Sequence, residues 1–126
     1  ELLLKYNISS VIISNSTDSN RENLKNNKKN ENGGLSGKPI QNLSTNLIKK
    51  FYKQLKGKIP IIGVGGIDSG ESAFEKITSG ASAVQLYTGM IFKGPTIVKD
   101  IKSGLINILK DKGFKNINEA VGTNLN

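Results

Sequence analysis

The sequence contains no cysteine, no histidine and no tryptophan. Without cysteine there is neither a disulfide framework nor thiolate chemistry, and without histidine the commonest general base and metal ligand is missing. Any reaction here therefore needs a cofactor or residues outside this stretch, and no metal site is expected. Aromatic residues are few, three Tyr and four Phe. None is interleaved with the lysines as a base-stacking platform would require. No run of about twenty apolar residues is present, nor a charged-then-apolar leader. A membrane span and a targeting signal are accordingly not expected in this stretch.

Acidic residues are also in short supply, ten against eighteen Lys and Arg, a formal net charge of +8. Lys25, Lys28 and Lys29 lie in an Asn-rich stretch, and Lys49, Lys50, Lys53 and Lys56 fall on the polar side of one expected helix. A solvated helix face plus a low-complexity loop accounts for this charge better than a nucleic-acid groove. No nucleic-acid partner is expected. The 126 residues suffice for one modest domain with a real core. The chain lacks a starting Met and opens inside what reads as the last turn of a helix, so a piece of something longer is expected.

What is there centres on residues 59–88, IPIIGVGGIDSGESAFEKITSGASAVQLYT. Two unalternating apolar runs, Ile59 to Val64 and Ala81 to Tyr87, suit strands buried in a parallel sheet. Each ends in small residues, Gly65-Gly66 and Thr88-Gly89. Between them lies a short helix with Ser69 as N-cap, Glu71 in its first turn and Gly80 just past its end. The two turns should emerge together at the carboxyl ends of adjacent strands, where such sheets bind ligands.

Upstream, Ser10 to Ser14 reads as a third strand ending in Ser14-Asn15-Ser16-Thr17, small polar residues suited to a turn or a polar ligand. Residues 18–32 hold a single Leu among Asn, Lys, Glu, Arg and Ser, and are expected to form a disordered insertion. Gly33-Gly34-Leu35-Ser36-Gly37 can approach a phosphate or a flat ring closely, though it lacks the P-loop spacing. Leu43 to Leu55 is an amphipathic helix that Ser44 or Thr45 could cap. After an apolar connection over residues 89–94, Pro95 is expected to open a long helix ending at Gly113, with one further helical turn over residues 116–121. This alternation implies a parallel α/β sheet, doubly wound or barrel. The turn after Val64 does not fit a dinucleotide fingerprint, while a barrel predicts a phosphate site in the loops after its last two strands.

The segments VIISNST, GGLSGKPI, PIIGVGGIDSG, EKITSGASAVQLYTGMIFKGP and EAVGT, in this order and spacing, resemble the carboxyl-terminal portion of the dihydroorotate dehydrogenases, class 2, the quinone-linked group. The resemblance covers nearly the whole chain apart from the insertion. It implies a (β/α)8 TIM barrel carrying FMN at its carboxyl-terminal mouth, with this chain supplying about the last three βα units. Residues 1–126 would then be part of one FMN-binding barrel domain, since a whole barrel takes about 250 residues.

Carried across by residue, the resemblance puts Val64, Gly65, Gly66, Leu86, Tyr87 and Thr88 at the FMN phosphate and Ser14, Ser36 and Gly37 at the flavin. Asn15 and Ser16 match the pair that binds dihydroorotate or orotate. It implies oxidation of dihydroorotate to orotate in pyrimidine biosynthesis, with electrons passing through FMN to quinone. The catalytic base is a serine upstream, so no catalytic residue is expected here and the fragment alone should be inactive. Tyr87, Ile91 and Pro95 match positions near the quinone passage. Membrane association would come through an amino-terminal module, and the location would be the mitochondrial inner membrane in a eukaryote and a membrane elsewhere. Two other readings stay open: a different FMN-dependent TIM-barrel oxidoreductase, and a non-catalytic basic remnant or binding module.

Overall fold

The computed structural model describes residues 2–19 and 21–125. Glu1, Asn20 and Asn126, which fall in the helix end expected at the start of the chain, the insertion and the domain's last position, lie outside the described residues. The elements run α1 (Leu2–Lys5), β1 (Val11–Ile13), α2 (Gln41–Leu55), β2 (Ile61–Val64), α3 (Gly70–Thr78), β3 (Ala83–Gln85), α4 (Thr88–Lys93) and α5 (Ile97–Asp111), with short 3-10 turns at Asn27–Asn30, Lys38–Ile40, Ile117–Ala120 and Thr123–Leu125. The strands pair in parallel in the order β1-β2-β3, with Val11 opposite Ile61 and Ile62 opposite Ala83.

Register and burial divide this sheet into two unlike faces. Ile13, Ile61 and Gly63 are buried beneath the helices, whereas Ile12, Ala83 and Gln85 are exposed. Strand side chains alternate between faces, so one face is covered by this chain and the other is open. Sequential strand order with the core on a single face is the arrangement of a barrel arc; a doubly wound sheet has helices on both sides.

The covered face carries the main core of Ile13, Ile48, Leu55, Ile59, Ile61, Ile77, Ala81 and Ala120. A second cluster, Ile67, Ala73, Ile97 and Ile101, joins α3 to α5. These two helices cross almost backbone to backbone: a Cβ on Gly70 would lie 2.8 Å from the Gly104 Cα. Ser69 accepts from the Ser72 amide while Ser72 Oγ accepts from the Ser69 amide, a reciprocal cap of α3 of a kind worth about 1 kcal/mol. Asn7 and Lys56 take left-handed conformations beyond α1 and α2, closing those helices.

Several local expectations are corrected. Ser44 and Thr45 do not cap α2, which starts four residues before Thr45, at Gln41, with no side-chain cap. Instead Ser44 Oγ donates to the Val64 carbonyl and Thr45 Oγ1 to the Gln41 carbonyl at 2.9 Å. The connection over residues 89–94 is mostly the short helix α4, and Pro95 stands in the turn before α5 rather than in its first helical position. Strands β2 and β3 are shorter than their apolar runs, because Ile59 and Ala81 are buried as approach residues. Apolarity reports burial, not pairing.

Among the described residues between β1 and α2, regular structure is limited to a bridge of Thr17 with Leu35 and the 3-10 turns. Arg21 gathers this stretch, its guanidinium donating to the Lys29, Glu31 and Gly33 carbonyls.

Candidate functional site

The three strands end side by side, and their loops enclose a cleft of about 180 Å³. From β1 come Ser14, Asn15 and Ser16; from the glycine segment before α2, Ser36 and Gly37; from β2, Val64, Gly65 and Gly66; and from β3, Leu86, Tyr87 and Thr88. Every residue that the sequence resemblance assigns to flavin or substrate thus lies on one cleft, whereas Ile91 and Pro95, matched to the quinone passage, do not line it. Ile40, Ile67 and Gly89 complete it. Gly89 was read as part of a strand end but not assigned to the site; Ile40 and Ile67 were not singled out, although Ile67 directly follows the Gly65-Gly66 turn. The Ile13-Ser14 peptide at its edge is cis.

The β2 loop owes its shape to α2. A Cβ on Gly65 would lie 2.9 Å from Ser44 Cβ, and one on Gly66 2.4 Å from Gln41 Cβ. Both glycines also take positive φ, +115° and +75°, which other L-residues reach only with strain. Because the missing side chains would point into α2, the loop turns bare backbone toward the cleft. Backbone amides in such turns suit an anion.

The rims are tied across. Ser36 and Thr88 share a hydroxyl hydrogen bond of 2.8 Å, and a Cβ on Gly37 would meet the Thr88 methyl at 2.7 Å. Gly34 admits Ser16, which would strike a Cβ there. Asn15 Oδ1 accepts from the Ser16 amide at 2.8 Å. Among the described residues its amino group has no partner, which leaves a donor suited to a carbonyl or carboxylate. Lys38 and Lys93 lie 3.7 and 3.9 Å from the Asp68 carboxylate beside the cleft. No cluster of three or more His, Cys, Asp or Glu occurs among the described residues. Nor is any helix among them long and apolar enough to cross a membrane.

Behind the cleft is a residue that sequence reasoning missed. Lys76, on α3, is fully buried and donates to the Gln41 carbonyl at 2.7 Å and to Thr45 Oγ1 at 2.6 Å. Burial lowers its pKa to about 8, with Glu75 opposing the shift. The signal was its position: Lys76 stands three residues after Ala73 and beside Ile77, inside the buried stripe of its helix.

The dihydroorotate dehydrogenase family model matches residues 1–109. The chain belongs to the dihydroorotate dehydrogenase family. It is 48% identical over 120 residues to the mitochondrial dihydroorotate dehydrogenase (quinone) of Arabidopsis thaliana, covering 94% of this chain and 26% of that protein. With the dihydroorotate dehydrogenase (quinone) of Trichodesmium erythraeum it shares 46% identity over 130 residues, 97% of this chain and 34% of the relative. A crystal structure of ligand-free type DHODH from Eimeria tenella superposes with a TM-score of 0.94 at 38% identity, covering 98% of this chain and 34% of that one. The chain therefore spans about a third or less of these relatives. The three-stranded sheet is an arc of the family's TIM barrel.

Proposed function

We propose that this chain forms the FMN-phosphate and pyrimidine side of an enzyme that oxidises dihydroorotate to orotate in pyrimidine biosynthesis. The observation that carries the reading is the convergence, on one cleft, of every residue the family resemblance assigns to flavin or substrate. At about 180 Å³ the cleft is smaller than the roughly 300–1,000 Å³ of pockets that enclose a whole ligand. It suits one side of a site whose remainder lies on other segments of the barrel.

The residues present fit FMN. Val64, Gly65 and Gly66, with Leu86, Tyr87 and Thr88, offer two adjacent strand-end loops to a phosphate, and the β2 loop does so with bare backbone. Ser14, Ser36 and Gly37 border the space for the ring. Asn15 and Ser16 offer a carboxamide and a hydroxyl to the pyrimidine. When bound, FMN supplies the acceptor for a hydride, and the protein supplies orientation. No base is assigned among the cleft residues, and Ser36 is already bonded to Thr88. Residues 1–126 belong, in this reading, to one FMN-binding barrel domain, inactive without the rest. Quinone is the electron acceptor, reached past Tyr87, Ile91 and Pro95. Membrane association, at the mitochondrial inner membrane in a eukaryote, comes from outside this chain.

The test is anaerobic addition of dihydroorotate to the full-length parent while the visible flavin absorption is followed. Bleaching that a quinone reverses is expected. A bound flavin indifferent to dihydroorotate would overturn the substrate and favour another FMN barrel oxidoreductase. A parent without flavin would move the reading to a remnant or binding module.

A further inference from the structure

The first turn of α2 is the shelf on which the β2 loop rests. Ser44 donates to the Val64 carbonyl, and Gln41 and Ser44 occupy the space that side chains on Gly66 and Gly65 would need. That shelf is in turn held from behind. Lys76 reaches across from α3 to the Gln41 carbonyl and Thr45 Oγ1, and its stem packs on β2, where a Cβ on Gly63 would lie 3.3 Å from Lys76 Cβ. Gln41 is fastened a second time, its Nε2 donating to Glu75 at 2.8 Å.

A methionine would fill this space without desolvating a charge. Burying an ammonium ion is unfavourable unless its bonds are made, and burial lowers the pKa of Lys76, with Glu75 opposing. The charged group that favours its ammonium form is Glu75; α2 presents Gln41 and Thr45 to it and β2 presents Gly63, none of which titrates. The geometry explains what the cation does there. It fixes the Gln41 carbonyl and the Thr45 hydroxyl on the first turn of α2, beside the bond that Glu75 accepts from the Gln41 side chain.

We infer that Lys76 is a positioning residue for the anion loop: by clamping Gln41 and Thr45 it holds Val64-Gly65-Gly66 in the shape that accepts the FMN phosphate. This rests on the flavin reading of the cleft. A supporting shell of this kind governs how accurately a site is preorganised, and its loss should fall on the phosphate and spare the ring.

The experiment compares FMN with riboflavin, which lacks the phosphate, binding to the deflavinated full-length parent at pH 7, followed by quenching of flavin fluorescence. Lys76→Met should weaken FMN by about tenfold or more and change riboflavin by less than about twofold, with no fall in Tm. An unchanged ratio of the two affinities, or equal losses for both, would overturn the inference. If Lys76→Met does not fold, Thr45→Val removes one acceptor while keeping the side-chain shape; it should weaken FMN by about threefold and spare riboflavin, and an unchanged ratio would again overturn the role. A wild-type parent that binds riboflavin as tightly as FMN would instead bring down the phosphate reading itself, together with the role of Lys76.

Discussion

The two faces of the sheet have the same kind of residues and opposite surroundings. Ile61 is 1% exposed beneath the helices, whereas Ile12, its near neighbour on the paired strand, is 57% exposed on the other face. A β-branched apolar residue has the same intrinsic reason to be buried in both places. The difference lies in the partner: α2 and α3 are in this chain, while the segments that would fill the barrel interior are not. An uncovered apolar sheet face is therefore informative about what is missing. The cleft stands at the carboxyl ends of the three strands.

The sharpest way to break that comparison is to place a charge on each face of the full-length parent. Ile61→Asp and Ile12→Asp should both abolish soluble folded protein, since each would bury an unpaired carboxylate. An Ile12→Asp protein with wild-type Tm would show that the second face stays open in the whole molecule. Next in size is Gly66→Ala, which sets a Cβ 2.4 Å from Gln41 Cβ at a positive φ. Its expected cost is roughly 3 kcal/mol in denaturant unfolding, and a loss below about 1 kcal/mol would mean that α2 yields rather than shaping the loop.

The smallest effect sharpens the role of burial at Lys76. Its folded pKa, about 8, lies below the ordinary 10.5, so the unfolded chain holds the proton more tightly. Stability then rises with pH between those values and carries the full cost of the buried charge below about pH 8; the gap corresponds to a gain on the order of 3 kcal/mol. Relative to Lys76→Met, the wild type should gain up to about 2 kcal/mol between pH 7.5 and pH 10. Urea unfolding of both proteins at the two pH values measures it, and a flat difference would show that Lys76 is hydrated.

Much of this was legible in the sequence because it rests on local chemistry. The apolar runs marked where strands and their approaches are buried, and Ser69 and Gly80 marked the ends of α3 by cap chemistry. The cleft was legible too, since small residues after a strand are visible as letters: those assigned to flavin or substrate line it, while Thr17, Ile91 and Pro95 do not. What misled was chemistry with two outlets. Ser44 and Thr45 have the hydroxyls of a cap, yet one bonds to β2 and the other to α2's own backbone and Lys76. The partners of Arg21 were not legible either: they are carbonyls eight to twelve residues away.

By itself, then, the sequence determined the alternation of strands and helices, the glycine turns at their ends and membership of the dihydroorotate dehydrogenase family. Those depend on periodicity, backbone freedom and residue order, which are properties of neighbours in the chain. Tertiary structure alone decided which face of the sheet is covered, that Gly65 and Gly66 are shaped by α2, and that one lysine among many is buried behind the loop. Each of these is a contact between residues some ten to thirty-five positions apart, and a donor's partner at that range is set by which helix packs against which strand.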